Sequence, residues 1–204
     1  MVDKFLREAK EQLLLPVATR LFAPIHPTVI TLASFGFGVV AAGFLAQGYT
    51  AQGLVFFLLN RVLDGLDGTV ARLTNRQSDF GAYIDIVLDT VIYAAIPAAI
   101  ALHINIIPGY ICLIALLICF YVNAASWMYL AALLEKRNAG AAARGEMTTV
   151  TMPGGLLEGT ETILFFVLFI VFPGALVPLF TTMAVLTVVT SLQRIRWAAQ
   201  ALRF

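Results

Sequence analysis

Four aspartates in two mostly apolar segments, Asp64, Asp67, Asp85 and Asp89, decide how this chain folds. Residues 64–89 read DGLDGTVARLTNRQSDFGAYIDIVLD, and an uncharged, mostly apolar run follows at 91–102. A carboxylate in the middle of a bilayer costs about 3 kcal/mol, so four would cost on the order of 10 kcal/mol. The sequence therefore predicts that these carboxylates lie near one membrane surface, share bound cations, or both.

The spacing of the four aspartates predicts that they meet in one cluster. Asp64 and Asp67 are three residues apart and Asp85 and Asp89 are four apart, so each pair shares one face of a helix. The short turn between the pairs makes the two helices antiparallel neighbours. Four carboxylates without histidine or cysteine nearby suit Mg²⁺, Mn²⁺ or Ca²⁺ better than zinc. Their charge balances that of two divalent cations.

Small residues accompany the aspartates. Gly65, Gly68 and Ala71 recur every three residues, and Gly81 precedes the second pair of aspartates. A strip without bulky side chains lets another backbone or a flat ligand come close. Arg72 follows the strip, and a guanidinium can hold two phosphate oxygens at once. Helix packing is the alternative explanation for the glycines taken alone.

The fixed positions of this stretch resemble the CDP-alcohol phosphotransferase signature, D-x-x-D-G-x-x-A-R-x8-G-x3-D-x3-D. Every fixed position and every interval of residues 64–89 matches it. The resemblance implies an integral-membrane enzyme, commonly a homodimer, that uses two divalent cations, Mg²⁺ or Mn²⁺. It implies that Asp64, Asp67 and Asp85 bind metal. It also implies that Asp89 binds metal or takes the proton of the acceptor hydroxyl as catalytic base.

The resemblance also implies a set of residues that contact the CDP-linked donor. Upstream, residues 26–31 read HPTVIT and resemble the family's Asn-Pro-x-x-x-Thr entry to the first span, with His26 where asparagine is common. Thr31 is therefore a candidate nucleotide contact. The complete donor-binding set comprises Thr31, Asp67, Gly68, Ala71, Arg72 and Gly81.

Composition predicts an all-α membrane protein with one domain over residues 1–204. Of the 204 residues, 60% are hydrophobic and 12% are charged, and the mean hydropathy is +0.90. A bilayer-spanning helix needs about 20 apolar residues. Six segments meet this length: 28–47, 52–73, 81–104, 107–134, 156–174 and 176–196. They form the predicted bundle 28–196. Residues 1–24 are expected to form an amphipathic helix at the membrane interface, or else a solvated leader helix packed on the protein.

The positive charges predict the orientation of the chain. Twelve of the thirteen Lys and Arg residues precede the first span, lie at the end of the last span or beyond it, or lie at the second-to-third and fourth-to-fifth junctions. With six spans, all of these positions are on one side, and the opposite loops contain neither residue. The positive-inside rule then places both termini and the active site in the cytoplasm. Arg61 is the exception, because it lies inside the second span.

The acceptor-binding residues are less clearly marked in the sequence. Lys136, Arg137 and Arg144 lie on the predicted cytoplasmic side, where they could bind a phosphorylated polyol such as glycerol 3-phosphate or inositol phosphate. Topology alone is the alternative explanation for their charge. Glu158 and Glu161 lie near the start of the fifth span. They could bind acceptor hydroxyls, or they could neutralise Arg61.

These patterns together predict a transferase of phospholipid synthesis. The resemblance implies that a substituted phosphate, favoured as phosphatidyl from CDP-diacylglycerol, moves to an alcohol with release of CMP. Transfer from a CDP-amino-alcohol to diacylglycerol is the alternative within the class. A cation or proton transporter is the alternative of another class, but it gives no reason for the Gly-Ala-Arg strip. The net charge of +1 gives no argument for nucleic acid as a partner.

Overall fold

A computed structural model describes residues 18–141 and 154–203, together with the single residues Pro16, Ala143, Gly145 and Thr151. Within these residues the chain forms six α-helices and no β-strand. The helices are α1 (Pro27–Ala46), α2 (Thr50–Leu73), α3 (Asp79–Ile104), α4 (Ile107–Lys136), α5 (Gly159–Val171) and α6 (Leu176–Ala201). The prediction of an all-α chain is confirmed for the described residues.

The described residues divide into two compact units. The first contains α1, α2 and α3 with residues 166–174, and the second contains α4, residues 159–165 and α6. In the first unit α1 packs against both α2 and α3, and in the second unit α4 packs against α6. The prediction of a single domain over 1–204 remains a prediction.

Local sequence determines where the helices of the first unit begin and end. His26 caps α1, and its Nδ1 accepts a hydrogen bond from the Thr28 N–H at 3.4 Å. The chain then turns at Gly48, whose φ of +83° favours glycine. Ser78 caps α3 by accepting from the Gly81 N–H at 3.0 Å. Short turns therefore join three antiparallel helices.

Close packing in the first unit depends on Gly38 of α1. A Cβ at this position would lie 2.6 Å from Cδ1 of Ile92 on α3 and 3.1 Å from Nδ2 of Asn60 on α2. Small residues at such contacts let membrane helices approach each other closely. The contact at Gly38 brings one face of α1 next to the aspartate-bearing faces of α2 and α3.

The aromatic side chains of Phe57 and Phe166 are also fully buried in the first unit, with ring centroids 5.8 Å apart.

Four segments of the described chain are long and apolar enough to span a membrane. They are Pro27–Ala46, Asp79–Ile104, Ile107–Lys136 and Pro173–Ala201, with mean hydropathies from 1.8 to 2.1. The two other helices do not meet this standard. α2 has 24 residues, but several charged side chains lie in it. α5 has only 13 residues, so the helix is shorter than the predicted span 156–174.

Most of the predicted interfacial helix, including residues 1–15 and Val17, lies outside the described residues. Residues Ala18–Phe22 form a single π-helical turn. Ala18 is buried in a small apolar cluster with Ile30, Leu66 and Val70. This turn therefore packs on the first unit, and the amphipathic helix over residues 1–24 remains a prediction.

Candidate active site

A polar cavity lies in the first unit between α1, α2 and α3. Three of the four predicted aspartates, Asp64, Asp85 and Asp89, lie on its wall. The other lining residues are Thr31, Ser34, Phe35, Asn60, Arg61, Leu88 and Ile92. The helix-face spacing in the sequence therefore placed these three carboxylates correctly around one space.

Asp67 is held next to this cavity by α1. Its side chain is buried, and its Oδ2 accepts a hydrogen bond from the Thr31 hydroxyl at 2.6 Å. Its Oδ1 lies 2.5 Å from the N–H of Gly68. Thr31, predicted as a nucleotide contact, lines the cavity and holds one of the predicted metal ligands.

Arg61 pairs with two of the cavity aspartates. Its Nη2 donates to Asp89 Oδ1 at 2.6 Å, and its Nη1 lies 3.8 Å from Asp64 Oδ2. The guanidinium also lies over the rings of Phe57 and Tyr93, with its Cζ 5.8 Å and 5.4 Å from their centroids. Tyr93 also lies within electrostatic range of Asp89. Arg61 thus finds its partners within the first unit.

A second hydrogen-bonded pair lies beside Arg61. Nδ2 of Asn60 donates to both the backbone oxygen and the hydroxyl of Ser34, at 2.9 Å and 3.0 Å. Oδ1 of Asn60 accepts from Nε of Arg61 at 2.7 Å. Ser34 and Asn60 are both buried, so this contact fixes α1 against α2 beside the cavity.

The charges at the cavity fit a hard divalent cation. Asp85 lies within electrostatic range of Asp64, Asp67 and Asp89, and Arg61 opposes part of their repulsion. All candidate ligands are oxygen donors, which Mg²⁺ and Mn²⁺ prefer. Among the described residues, however, no three acidic, histidine or cysteine side chains form a ready ligand set. Asp89 binds Arg61 and Asp67 accepts from Thr31, and the four-carboxylate metal site expected from the sequence remains a prediction.

The other predicted donor contacts follow the aspartates along α2 and α3. Gly68, Ala71 and Arg72 are half-buried, and Nη2 of Arg72 lies 3.4 Å from the Thr69 hydroxyl. A Cβ at Gly68 would make only an ordinary contact, 3.4 Å from Arg72 Nη1. Gly81 has a defined local role, because its N–H completes the cap of α3.

The predicted acceptor residues belong to the second unit or lie outside the described residues. Lys136 and Arg137 are exposed at the end of α4, and Nη1 of Arg137 donates to the Leu202 carbonyl at 3.0 Å. Arg144 is not among the described residues. Glu158 accepts from the Gly155 N–H at 2.9 Å. The acceptor roles of these residues therefore stay predictions.

Glu161, in the same part of the second unit, also binds a backbone N–H group. Its Oε2 accepts from the Glu158 N–H at 3.1 Å, at the start of α5. The proposed pairing of these two glutamates with Arg61 is replaced by local bonds to the backbone. Arg61 instead binds the aspartates of its own unit.

Sequence reasoning missed three polar residues near the cavity: Ser34, Asn60 and Tyr93. Helical spacing contained part of the signal, because Arg61 precedes Asp64 by three residues and Tyr93 follows Asp89 by four. Ser34 and Asn60 gave no such signal, since they meet only through the packing of α1 on α2.

Comparison with known proteins identifies the family. The profile described as CDP-alcohol phosphatidyltransferase matches residues 24–193, which include every wall residue of the cavity. The chain belongs to the CDP-alcohol phosphatidyltransferase family. It is therefore a phosphotransferase of phospholipid biosynthesis and an integral, multi-pass membrane protein.

Two relatives illustrate the range of this family. The inner membrane protein YnjF of Escherichia coli K12 is 38% identical over 178 residues, covering 85% of this chain and 84% of YnjF. The bifunctional IPC transferase and DIPP synthase of Aquifex aeolicus is 38% identical over 79 residues. That match covers 39% of this chain and 18% of the Aquifex protein.

A solved structure of another CDP-alcohol phosphatidyltransferase has the same fold. Mycobacterium tuberculosis phosphatidylinositol phosphate synthase (PgsA1) with CDP-DAG bound aligns with a TM-score of 0.70 at 23% identity, covering 92% of this chain and 94% of that one. The same enzyme in complex with manganese and citrate also aligns with a TM-score of 0.70. At this identity the likeness shows the fold alone.

Proposed function

We propose that this CDP-alcohol phosphatidyltransferase moves a phosphatidyl group from CDP-diacylglycerol to a small alcohol and releases CMP. The observation that carries the proposal is the cavity wall, which brings Asp64, Asp85 and Asp89 of the family signature to one space. The solved complex of PgsA1 with CDP-DAG supports the choice of donor. A phosphorylated polyol such as glycerol 3-phosphate or inositol phosphate is the favoured acceptor.

Asp64, Asp67, Asp85 and Asp89 would hold two divalent cations, Mg²⁺ or Mn²⁺. Their oxygen donors and their excess of negative charge over Arg61 fit such ions, and PgsA1 has been solved in complex with manganese. When bound, the cations neutralise charge on the diphosphate and help to align it for in-line attack.

Asp89 acts as the catalytic base in this mechanism. The acceptor hydroxyl oxygen forms a bond to the phosphorus that carries the diacylglycerol, and the bond from that phosphorus to the CMP oxygen breaks. The acceptor proton passes to the Asp89 carboxylate, which makes the neutral alcohol a better nucleophile. Arg72 binds the phosphate oxygens of the donor, with Thr31, Gly68, Ala71 and Gly81 around the nucleotide.

The acceptor would approach from the cytoplasmic side. Lys136, Arg137 and Arg144 supply positive charge for an anionic acceptor, and Glu158 supplies a hydrogen-bond acceptor for its hydroxyls. The distribution of Lys and Arg supports six spans with both termini and the active site in the cytoplasm. We also propose a single domain over residues 1–204, an interfacial helix over residues 1–24, and a homodimer.

Purified protein in detergent tests the proposal. CMP release is followed with CDP-diacylglycerol, Mg²⁺ or Mn²⁺, and a panel of acceptors: glycerol 3-phosphate, inositol phosphate, inositol, serine, glycerol and phosphatidylglycerol. The expected result is CMP release that needs metal and one acceptor and disappears in Asp89→Asn. Release only from CDP-choline or CDP-ethanolamine with diacylglycerol would overturn the choice of donor. Cation flux in vesicles without any CMP release would favour a transporter instead.

A further inference from the structure

Arg61 is a buried cation whose orientation is set from three directions. Its side chain is 6% exposed. Nε donates to Asn60 Oδ1 at 2.7 Å, Nη2 donates to Asp89 Oδ1 at 2.6 Å, and the planar group lies against Phe57 and Tyr93. A simple counter-ion needs only proximity to negative charge. Contacts at both ends of the guanidinium and on its face restrict its rotation as well.

Asn60, which accepts from the Nε of Arg61, is itself held by a neighbouring helix. Asn60 donates twice to Ser34 of α1, and the Ser34 hydroxyl donates back to the Asn60 carbonyl at 2.8 Å. A continuous series of hydrogen bonds therefore runs from α1 through Asn60 and Arg61 to Asp89 on α3. Each buried polar atom in this series has a partner, as a rigid polar network requires.

At the far end, the Asp89 carboxylate is held by Arg61, which donates to its Oδ1 at 2.6 Å. Tyr93, four residues along α3, lies within electrostatic range of the same carboxylate. Asp89 nevertheless lies on the wall of the polar cavity and is not enclosed behind it. The bond from Arg61 restricts the rotamer of Asp89 and leaves the group accessible to a ligand in the cavity.

We propose that Arg61, oriented by Asn60, is a positioning residue of the transfer reaction that holds the Asp89 carboxylate in the geometry for accepting the proton of the alcohol. The inference rests on the proposed function, in which Asp89 is the base. Lysine can supply the charge of Arg61, but it has no planar group that reaches Asn60 and Asp89 together. Charge and geometry can therefore be separated by substitution.

The experiment compares wild type, Arg61→Lys, Asn60→Ala and the double variant, all as the full chain in detergent. The measured quantities are kcat, the KM for CDP-diacylglycerol and the Tm. We expect Arg61→Lys to lower kcat about 100-fold, because small displacements of a reacting group have effects of this size. The donor KM should stay within about twofold. Asn60→Ala should lower kcat by a smaller factor, and the double variant should match Arg61→Lys, because contacting residues that act as a unit are not additive.

Two further measurements separate positioning from a purely structural role. Isotope-edited infrared difference spectra of wild type against Asp89→Asn isolate the Asp89 carboxylate band, which should broaden in Arg61→Lys. Arg76→Lys is the matched control on an exposed arginine, with kcat and band unchanged. Wild-type kcat in Arg61→Lys, or additive losses in the double variant, would overturn the inference while leaving the proposed function intact. A wild-type protein that releases no CMP from any CDP-linked donor would overturn both.

Discussion

Acidic side chains in the two units of this protein have different bonding partners. In the first unit Asp64 and Asp89 face a cavity and bind the side chain of Arg61. In the second unit Glu158 and Glu161 accept backbone N–H groups at the start of α5. Burial of a carboxylate in an apolar helix is therefore a weak sign of a reactive site. The more informative feature is whether its partners leave it facing a space that a ligand can enter.

The buried arginines of the two units differ in the same way. Arg61 contacts carboxylates at both terminal nitrogens, whereas Nη1 of Arg194 binds the amide oxygen of Asn123 at 2.8 Å. The Asn123 oxygen also lies 3.3 Å from the Ser191 hydroxyl. The first unit thus places two carboxylates against its buried arginine, whereas the arginine of the second unit hydrogen-bonds to an amide oxygen and lies within electrostatic range of Glu158.

The largest difference between the units should appear when one carboxylate in each is made neutral. Asp89→Asn removes the proposed base and should lower kcat about 1,000-fold, within the usual range for such a group. CMP release at saturating donor measures this. Glu161→Gln keeps an oxygen that accepts from the Glu158 N–H, so kcat should change less than about twofold. Similar losses in both variants would contradict the comparison.

A smaller effect is expected on the KM for the CDP-linked donor. Arg72→Ala removes a cation from the end of α2 and should raise the KM for CDP-diacylglycerol about 30-fold, the equivalent of about 2 kcal/mol for a hydrogen bond to a charged group. Arg76→Ala, four residues further on and exposed, serves as the control. An unchanged donor KM in Arg72→Ala would remove this residue from the donor site.

Thr31→Val measures how much the hydrogen bond from Thr31 to Asp67 contributes to the stability of the first unit. Valine keeps the shape of the side chain but cannot donate to Asp67, so the free energy of unfolding should fall by about 1.5 kcal/mol. Denaturation in detergent gives this value. Thr182→Val is the control, because the Thr182 hydroxyl donates only within its own helix, to the Pro178 carbonyl. Equal losses in the two variants would mean that the bond to Asp67 contributes nothing specific.

The smallest effect concerns the backbone bond of Glu158. Glu158→Ala leaves the Gly155 N–H without its acceptor and should lower the free energy of unfolding by about 1 kcal/mol, as for the loss of a helix cap. Glu158→Gln should preserve most of that stability, because its amide oxygen replaces the carboxylate. The two Tm values test this. A raised acceptor KM in Glu158→Gln would in addition support the acceptor role proposed for this residue.

Helix periodicity was sufficient to place the carboxylates but not to find what holds them. Three aspartates share a cavity because residues three or four apart fall on one face and a short turn brings the two faces together. The bond between Thr31 and Asp67 joins residues 36 positions apart, and the Ser34–Asn60 contact joins residues 26 apart. Such pairs depend on how closely α1 approaches its neighbours, which no local spacing encodes.

The close approach of α1 to its neighbours makes Gly38 important for the geometry of the site. It touches none of the carboxylates, yet a single methyl group there would collide with Ile92 and press on Asn60. Thr31 lies seven residues earlier on the same helix, a distance of about 10 Å along its axis. A methyl group at Gly38 would require Ile92 or α1 to shift, and a shift of α1 would disturb the bonds from Thr31 to Asp67 and from Ser34 to Asn60. We therefore expect a substitution at Gly38, which has no side chain, to change the reactivity of the site without touching it.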